Sequence, residues 1–352
     1  MTSTHHHHHK KGKKYVAKKV AKVSFCCAMI PVILAPIIST ALIYFYPEHL
    51  QHVFFLNFRR MPLTDYENVT ANDVTSIGRS FYLEGEEGKI GVWHMLPASI
   101  AEGFREHGME PSPAEMEALM SAGKHPVILY AHGNSFDRTI NHRCMLYNVL
   151  TDMDYHVIAF DYRGYGDSEG SPTEPGIVAD TRVVYEYAKQ VAGNNLVIVW
   201  GHSMGTGVST RLVRDLSLEG YPPDGLILES AFNNLHDVVL NHPFSLPFRF
   251  LPDWIIEKFI LERFRSVGLK MDTDQRIKLI TCPILIVHAE DDHVIPAFLA
   301  RKLVADAKTT QRDVKYIEFE ASREYRHKFI YLAEELPDII RSFVAKCAKK
   351  SS

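Results

Sequence analysis

Ser203 stands at the centre of Gly201-His202-Ser203-Met204-Gly205, a G-x-S-x-G entered from the apolar, β-favouring run Leu196–Trp200 and followed by a helical pattern. A serine on so tight a strand-to-helix turn is held in strained backbone geometry, and the two glycines remove side chains that would collide with neighbouring chain. Its hydroxyl is thereby pushed toward a reactant. A serine hydroxyl is a weak nucleophile at neutral pH; it needs a histidine to take its proton and a carboxylate to hold that histidine. His327, in Tyr325-Arg326-His327-Lys328 after the last strand pattern, occupies the position of such a base. The acid belongs on the loop after the strand Pro283–Val287, where Asp291 and Asp292 compete; the apolar pair and proline that follow, Val294-Ile295-Pro296, favour Asp292. Finally, His132-Gly133-Asn134 closes the strand Val127–Tyr130. A glycine there lets backbone approach a substrate carbonyl, so that the Asn134 and Met204 amides can point at a developing oxyanion. This set performs acyl transfer through a serine ester and calls for no metal and no cofactor.

These side chains can meet only if their strands lie side by side. An early strand over Ile90–Met95, then Val127–Tyr130, Val157–Phe160, Leu196–Val199, Gly225–Leu228, Pro283–Val287 and Val314–Phe319 alternate with helical patterns near Val178–Val191, Gly205–Leu216 and Ala297–Ala305. That alternation implies an α/β fold, a mainly parallel sheet with helices on both faces. The chain order Ser, Asp, His is that of the α/β-hydrolase fold. Asp161-Tyr162-Arg163-Gly164-Tyr165-Gly166 reads as a loop organised under the site, and Pro111–Gly123 as an exposed insertion. Residues 233–278 interrupt the alternation with Phe248, Phe250, Trp254, Ile256, Phe259, Ile260 and Phe264 and three prolines, where this fold carries a cap. Ile256, Ile260 and Phe264 recur at helical spacing opposite Glu257, Lys258, Glu262 and Arg263, which suits a lid over an acyl chain that also touches a bilayer.

The domain has a basic and then apolar preface. Seven lysines among residues 1–22 precede Val23–Tyr46, 24 residues without a charge, or roughly 36 Å of helix against a hydrocarbon core of about 30 Å. Residues 23–46 therefore read as an uncleaved transmembrane anchor, although Pro31 and Pro36 interrupt it, and residues 47–89 as a juxtamembrane segment before a hydrolase domain over 90–350. The lysine bias predicts a cytosolic N-terminus and a lumenal remainder. Asn68-Val69-Thr70, a glycosylation sequon, agrees with that orientation; the terminal Lys349-Lys350-Ser351-Ser352, which resembles a cytosolic retention signal, is then merely a solvated tail. His5–His9 reads as a tag remnant or a low-complexity run. The net charge of −3 with no basic stripe among aromatics argues against nucleic acid as a partner, and five cysteines are too few for a disulfide scaffold.

Taken together, Ile90-Gly91-Val92-Trp93-His94, HGN at 132–134, FDYRGYGDS at 160–168, WGHSMGTGV at 200–208, LILES at 226–230, HPFS at 242–245, HAEDD at 288–292 and YRHK at 325–328 resemble the abhydrolase domain-containing protein twelve family. The departure comes after HGN, where the family commonly continues with alanine and glycine and this chain has Ser135-Phe136. The resemblance implies a membrane-anchored serine lipase acting on lysophosphatidylserine and monoacylglycerol, a lipid substrate drawn from the bilayer, and residence in the endoplasmic reticulum membrane. Arg138, Arg163 and Arg326 are head-group candidates by their nearness to the motif loops. Two alternatives remain open: an acyl-protein thioesterase, which shares the triad, and a non-catalytic binding module on the same fold, which would usually lack a triad member.

Overall fold

The computed structural model describes residues 4–351; the first three residues and Ser352, the last of the terminal tail, lie outside them. Eight strands form one sheet in the order β1-β2-β4-β3-β5-β6-β7-β8. β1 (Gly78–Gly85) and β2 (Gly88–Met95) form an antiparallel hairpin, and β2 runs antiparallel to β4 (His156–Phe160). From β4 onward every pairing is parallel, through β3 (Val127–Ala131), β5 (Val197–His202), β6 (Gly225–Glu229), β7 (Ile284–Ala289) and β8 (Val314–Phe319).

The five strands β3 to β7 are buried throughout, as expected of a parallel sheet covered on both faces. Their period-two alternation divides the core. Leu129, Ile158 and Val199 pack on one face with the helices Glu174–Ala192 and Met204–Leu218. Ile128, Val157 and Trp200 pack on the other with Asn141–Asp152 and the C-terminal helix Leu336–Ser351. Because all the crossovers put the C-terminal ends of the parallel strands at one edge, the loops after β3, β5, β7 and β8 converge there.

One sequence expectation is corrected. The sheet starts earlier than Ile90: residues within the segment 47–89 form β1, whose half-exposed, charge-bearing pattern hides its pairing with β2. Pro111–Gly123 lies between β2 and β3 and is mostly exposed, in keeping with the sequence expectation of an exposed insertion. It contains the helix Pro113–Ser121, whose first turn is closed by a capping box: the Ser112 hydroxyl accepts the Glu115 N–H at 3.2 Å and the Glu115 carboxylate accepts the Ser112 N–H at 2.7 Å. Met116 and Met120 bury its inner face.

The apolar preface is one helix, α1, Thr4–Phe45, running through Pro31 and Pro36. Its stretch Lys18–Phe45 is long and apolar enough to cross a membrane. Most of that stretch is exposed, but one face is not: Pro36 and Ile43 are buried and Ser39, Thr40 and Tyr44 half-buried, which is the i, i+3, i+4, i+7, i+8 spacing of a single helix face. That face meets the cap. The Tyr44 ring lies 5.4 Å from that of Phe259, and the Arg263 guanidinium sits 4.0 Å over Tyr44. The cap itself comprises a helix at Leu235–Asn241, a 3-10 stretch at Pro243–Phe248 and a helical run from Asp253 to Ser266 with a π turn at Glu257–Leu261. Ile256, Ile260, Leu261 and Phe264 face inward, whereas Phe250 and Trp254 are exposed.

Candidate active site

Ser203 begins the helix Met204–Leu218 with φ 54° and ψ −120°, a conformation side chains avoid. Three features hold it there. Its N–H donates to the Glu229 carbonyl of β6 at 3.0 Å. A Cβ at Gly201 would lie 2.4 Å from the Gly205 carbonyl oxygen, and one at Gly205 would lie 2.1 Å from that of Ala131, so neither position admits a side chain.

The Ser203 Oγ is 3.1 Å from Nε2 of His327, and His327 Nδ1 is 2.7 Å from Oδ2 of Asp292. All three residues are buried. The other carboxylate oxygen of Asp292 accepts the Val294 and Ile295 N–H groups, each at 2.9 Å, and Nε2 of His288 lies 3.4 Å from Oδ2. Burial works to raise the Asp292 carboxyl, but the charges and hydrogen bonds of His327 and His288 outweigh it and hold the group well below the usual carboxylate range. The neighbour that competed with it in sequence is placed elsewhere: Asp291 Oδ1 accepts the Arg326 N–H at 2.9 Å and serves the turn before the histidine.

Asn134 and Met204 both border the cavity beside Ser203. The loop carrying Asn134 is held by two tyrosines that sequence reasoning left without a role. The Tyr162 hydroxyl donates to the His132 carbonyl at 2.8 Å and the Tyr165 hydroxyl to the Asn134 carbonyl at 2.9 Å. From the other side, the Asn134 side-chain amide donates to the Phe54 carbonyl at 3.1 Å. His202 was also missed. Its Nε2–H donates to the His327 carbonyl at 2.9 Å, tying the elbow to the histidine loop, while burial and the adjacent His327 hold its imidazole well below the ordinary value. The signal for these residues lay only in their place within the motifs.

Two of the three head-group candidates are committed inside the protein. Arg138 is fully buried, bonded to Asp161 at 2.5 Å and Asp167 at 2.6 Å. Arg163 is buried against Asp180 at 2.7 Å. Neither guanidinium can leave without stranding a buried carboxylate. Arg326 has an exposed side chain. Asn68 is also exposed; it caps a 3-10 turn, and its Oδ1 accepts the Thr70 hydroxyl at 2.9 Å.

A cavity of about 340 Å³ runs from Ser203 beneath the cap, lined by Phe232, Val238, Phe248, Ile260 and Phe264, to Ser39, Leu42 and Ile43 of α1. Its few polar walls include His242, whose imidazole is pushed down to about 4 by burial and then by His327. The lining is thus apolar and largely without fixed charge.

A largely parallel sheet with a serine on its central elbow, and an acid and a histidine on later loops, defines an α/β-hydrolase. The family model described as the alpha/beta hydrolase fold matches residues 126–265. The lysophosphatidylserine lipase ABHD12 of Danio rerio is 43% identical over 297 residues, 82% of this chain and 75% of that one. The protein of the same name from Rattus norvegicus is 43% identical over 302 residues, 83% and 73% of the two chains. Among solved structures, the esterase Pf2001 of Pyrococcus furiosus matches with a TM-score of 0.55 and 17% identity over 83% of this chain and 96% of that one, a likeness of fold. The chain belongs to the ABHD12 family of α/β-hydrolases. It is a carboxylic ester hydrolase, a lipase.

One buried acid beside this site has no counterpart in the sequence reasoning. The Glu229 side chain accepts the Trp200 indole N–H at 3.0 Å. Burial, opposed by that bond and reinforced by the Asp292 charge, pushes its carboxyl up to about 7. An unfolded glutamate titrates near about 4.3, so the folded state prefers the neutral acid, and stability is lost as pH rises from about 4 through about 7. We predict that, in detergent solution, unfolding free energy falls on the order of 3 kcal/mol more between pH 4 and pH 8 in the parent protein than in Glu229→Gln. Parallel pH profiles would refute the assignment.

Proposed function

We propose that this lipase is anchored in a bilayer by α1 and hydrolyses the acyl ester of single-chain lipids, lysophosphatidylserine and monoacylglycerol, with Ser203 as nucleophile, His327 as general base and Asp292 as its orienting acid. The carrying observation is the hydrogen-bonded chain from Ser203 through His327 to Asp292 at the end of an apolar cavity that reaches α1. The cavity volume of about 340 Å³ sits at the lower end of the about 300–1,000 Å³ found for small-molecule sites, which favours one acyl chain over two. The names of the relatives supply lysophosphatidylserine.

The reaction proceeds in two halves. As Ser203 Oγ bonds to the ester carbonyl carbon, its proton passes to His327 Nε2, and the Asn134 and Met204 amides receive the oxyanion. Collapse of the tetrahedral species expels the glycerol-bearing alcohol, which takes that proton, and leaves the fatty acyl group on Ser203. A water then attacks with its proton drawn off by His327, and the second collapse releases the fatty acid and restores the serine. Asp292 keeps Nδ1 protonated and stabilises each imidazolium. Ser203→Ala should abolish labelling by a fluorophosphonate and lower kcat by on the order of 10⁶. Asp292→Asn should lower kcat by about 10⁴ while Asp291→Asn stays close to the parent; equal losses at the two aspartates would exclude this choice of acid.

A cluster of cations supports an anionic head group. Lys328, the residue after the base, is half-buried and has no carboxylate in ion-pair reach among the described residues. Burial, then the charges of Arg143 and Arg59, pull its ammonium below the ordinary value. Arg59 lies 6.0 Å over the ring of Phe136, the residue at which the chain departs from the family pattern. An arriving phosphate or carboxylate would relieve this repulsion. Lys328→Gln should therefore lower kcat/KM for lysophosphatidylserine by about tenfold and spare monoacylglycerol; a uniform loss on both lipids would remove Lys328 from head-group recognition.

For location, we assign the catalytic domain to the lumen of the endoplasmic reticulum, with the N-terminus cytosolic and Asn68 glycosylated. The lysines before the span and the exposed Asn68 and Thr70 support this orientation. Protease added to sealed microsomes should spare the C-terminal domain until detergent opens them; its digestion in intact vesicles would place it in the cytosol.

A further inference from the structure

We propose that α1 is a wall of the acyl-binding cavity as well as an anchor, and that the cavity opens sideways onto the bilayer at Leu42 and Val53, so that the lipid chain enters directly from the membrane. The inference rests on the serine-lipase reading and adds to it a route and a set of chain-sensing residues.

Three observations carry it. First, the cavity lined by Ser203 and Asn134 is also lined by Ser39, Leu42 and Ile43, all on α1. Second, two lining residues face outward as well: Leu42 is 45% exposed and Val53 is 64% exposed. A residue that borders the interior and the surroundings together marks a wall one side chain thick, and here the surroundings of α1 are lipid. Third, the cap is built to sit at that depth. It packs on the face of α1 that begins at Pro36, and its Leu246, Phe250 and Trp254 are large apolar side chains that stand mostly exposed. Such a surface belongs at the headgroup and acyl boundary.

The direction of the cavity matters too. Ser39 lies six residues before the end of α1 at Phe45, about 9 Å further into the span. With its ester at Ser203 and its tail toward Ser39, a lipid keeps the polarity it has in the bilayer, head toward water and tail toward the membrane interior. It needs to move sideways without turning over, and its tail need not cross water, where each exposed methylene would cost about 0.8 kcal/mol.

The test compares full-length variants in phosphatidylcholine vesicles on two esters, 1-oleoylglycerol dissolved in the bilayer and p-nitrophenyl acetate in water. The readout is the ratio of kcat/KM for the long ester to that for the short one. Leu42→Trp, which fills the mouth, should lower the ratio by about tenfold or more. Leu34→Trp is the matched control, since Leu34 is also 45% exposed on α1 but does not border the cavity; it should leave the ratio unchanged. Ser39→Phe provides a second variant and should shift the preferred monoacylglycerol toward shorter chains. An unmoved ratio at Leu42→Trp with unmoved chain preference at Ser39→Phe, in protein that still turns over both esters, overturns the inference alone. Failure of the parent to cleave either ester, or cleavage that survives Ser203→Ala, overturns the catalytic reading beneath it.

Discussion

The backbone of Ser203 is the constraint on which the rest of the site depends. Holding a non-glycine residue at φ 54° costs about 1–3 kcal/mol and persists only where its surroundings over-determine it. Here the surroundings are the two strands that flank β5. β6 fixes the Ser203 N–H, and β3 approaches so closely that Gly205 has no room for a Cβ beside the Ala131 carbonyl. The same approach brings the loop after β3 against the elbow: a Cβ on Gly133 would stand 3.3 Å from that of Ser203. The strained backbone of Ser203 and the position of the loop that carries Asn134 therefore both depend on the close approach of β3 to the elbow.

Around this contact the protein places polar groups where water is scarce and satisfies them by pairing. The Asp292 carboxylate takes two backbone N–H groups before it takes the imidazole, so its orientation is set by its own loop. His202 and Asp291 then fix the histidine loop from two directions, one through the His327 carbonyl and the other through the Arg326 N–H. Beneath the other side, buried Arg138 pairs with buried Asp161 and half-buried Asp167, and the His132 ring, its imidazole held below the ordinary value mainly by burial, lies 3.2 Å from Asp161. Removing these charges from water is costly and is offset by their pairing, and the His132 ring beside them packs against Tyr162 and Tyr165, which hold the HGN loop.

How much of this was legible follows from how far each signal reaches. Chemistry restricts residue type and spacing within a few positions, so Ser203, Asp292, His327 and Asn134 could be singled out, and fully buried strands such as β5 and β7 announced themselves as unbroken apolar runs. Pairings across the fold left no such trace. Arg138 and Arg163 looked like free cations because their partners are distant in the chain, and β1 was hidden because its half-exposed pattern needs β2 to make sense of it. The helix Pro113–Ser121 was legible but unread: Ser112, Pro113 and Glu115 spell a capped helix start within a stretch read only as an exposed insertion.

The docking face of α1 was illegible for a stricter reason. In a soluble helix the buried face differs in polarity from the exposed one, but in a span apolar all round, lipid and protein make the same demand on side-chain type. What separates the Pro36, Ser39, Thr40, Ile43 and Tyr44 face from the rest is therefore size and shape: with one proline and three hydroxyl-bearing side chains, it is no more apolar than its neighbours. Small Ser39 and Thr40 permit close approach, and the Thr40 hydroxyl satisfies itself on the Pro36 carbonyl at 2.7 Å. Such a face can only be found once the cap that covers it is folded. The cap's outer side chains Leu246, Phe250 and Trp254 stand exposed, the kind of apolar surface that a bilayer would cover under the proposed anchoring.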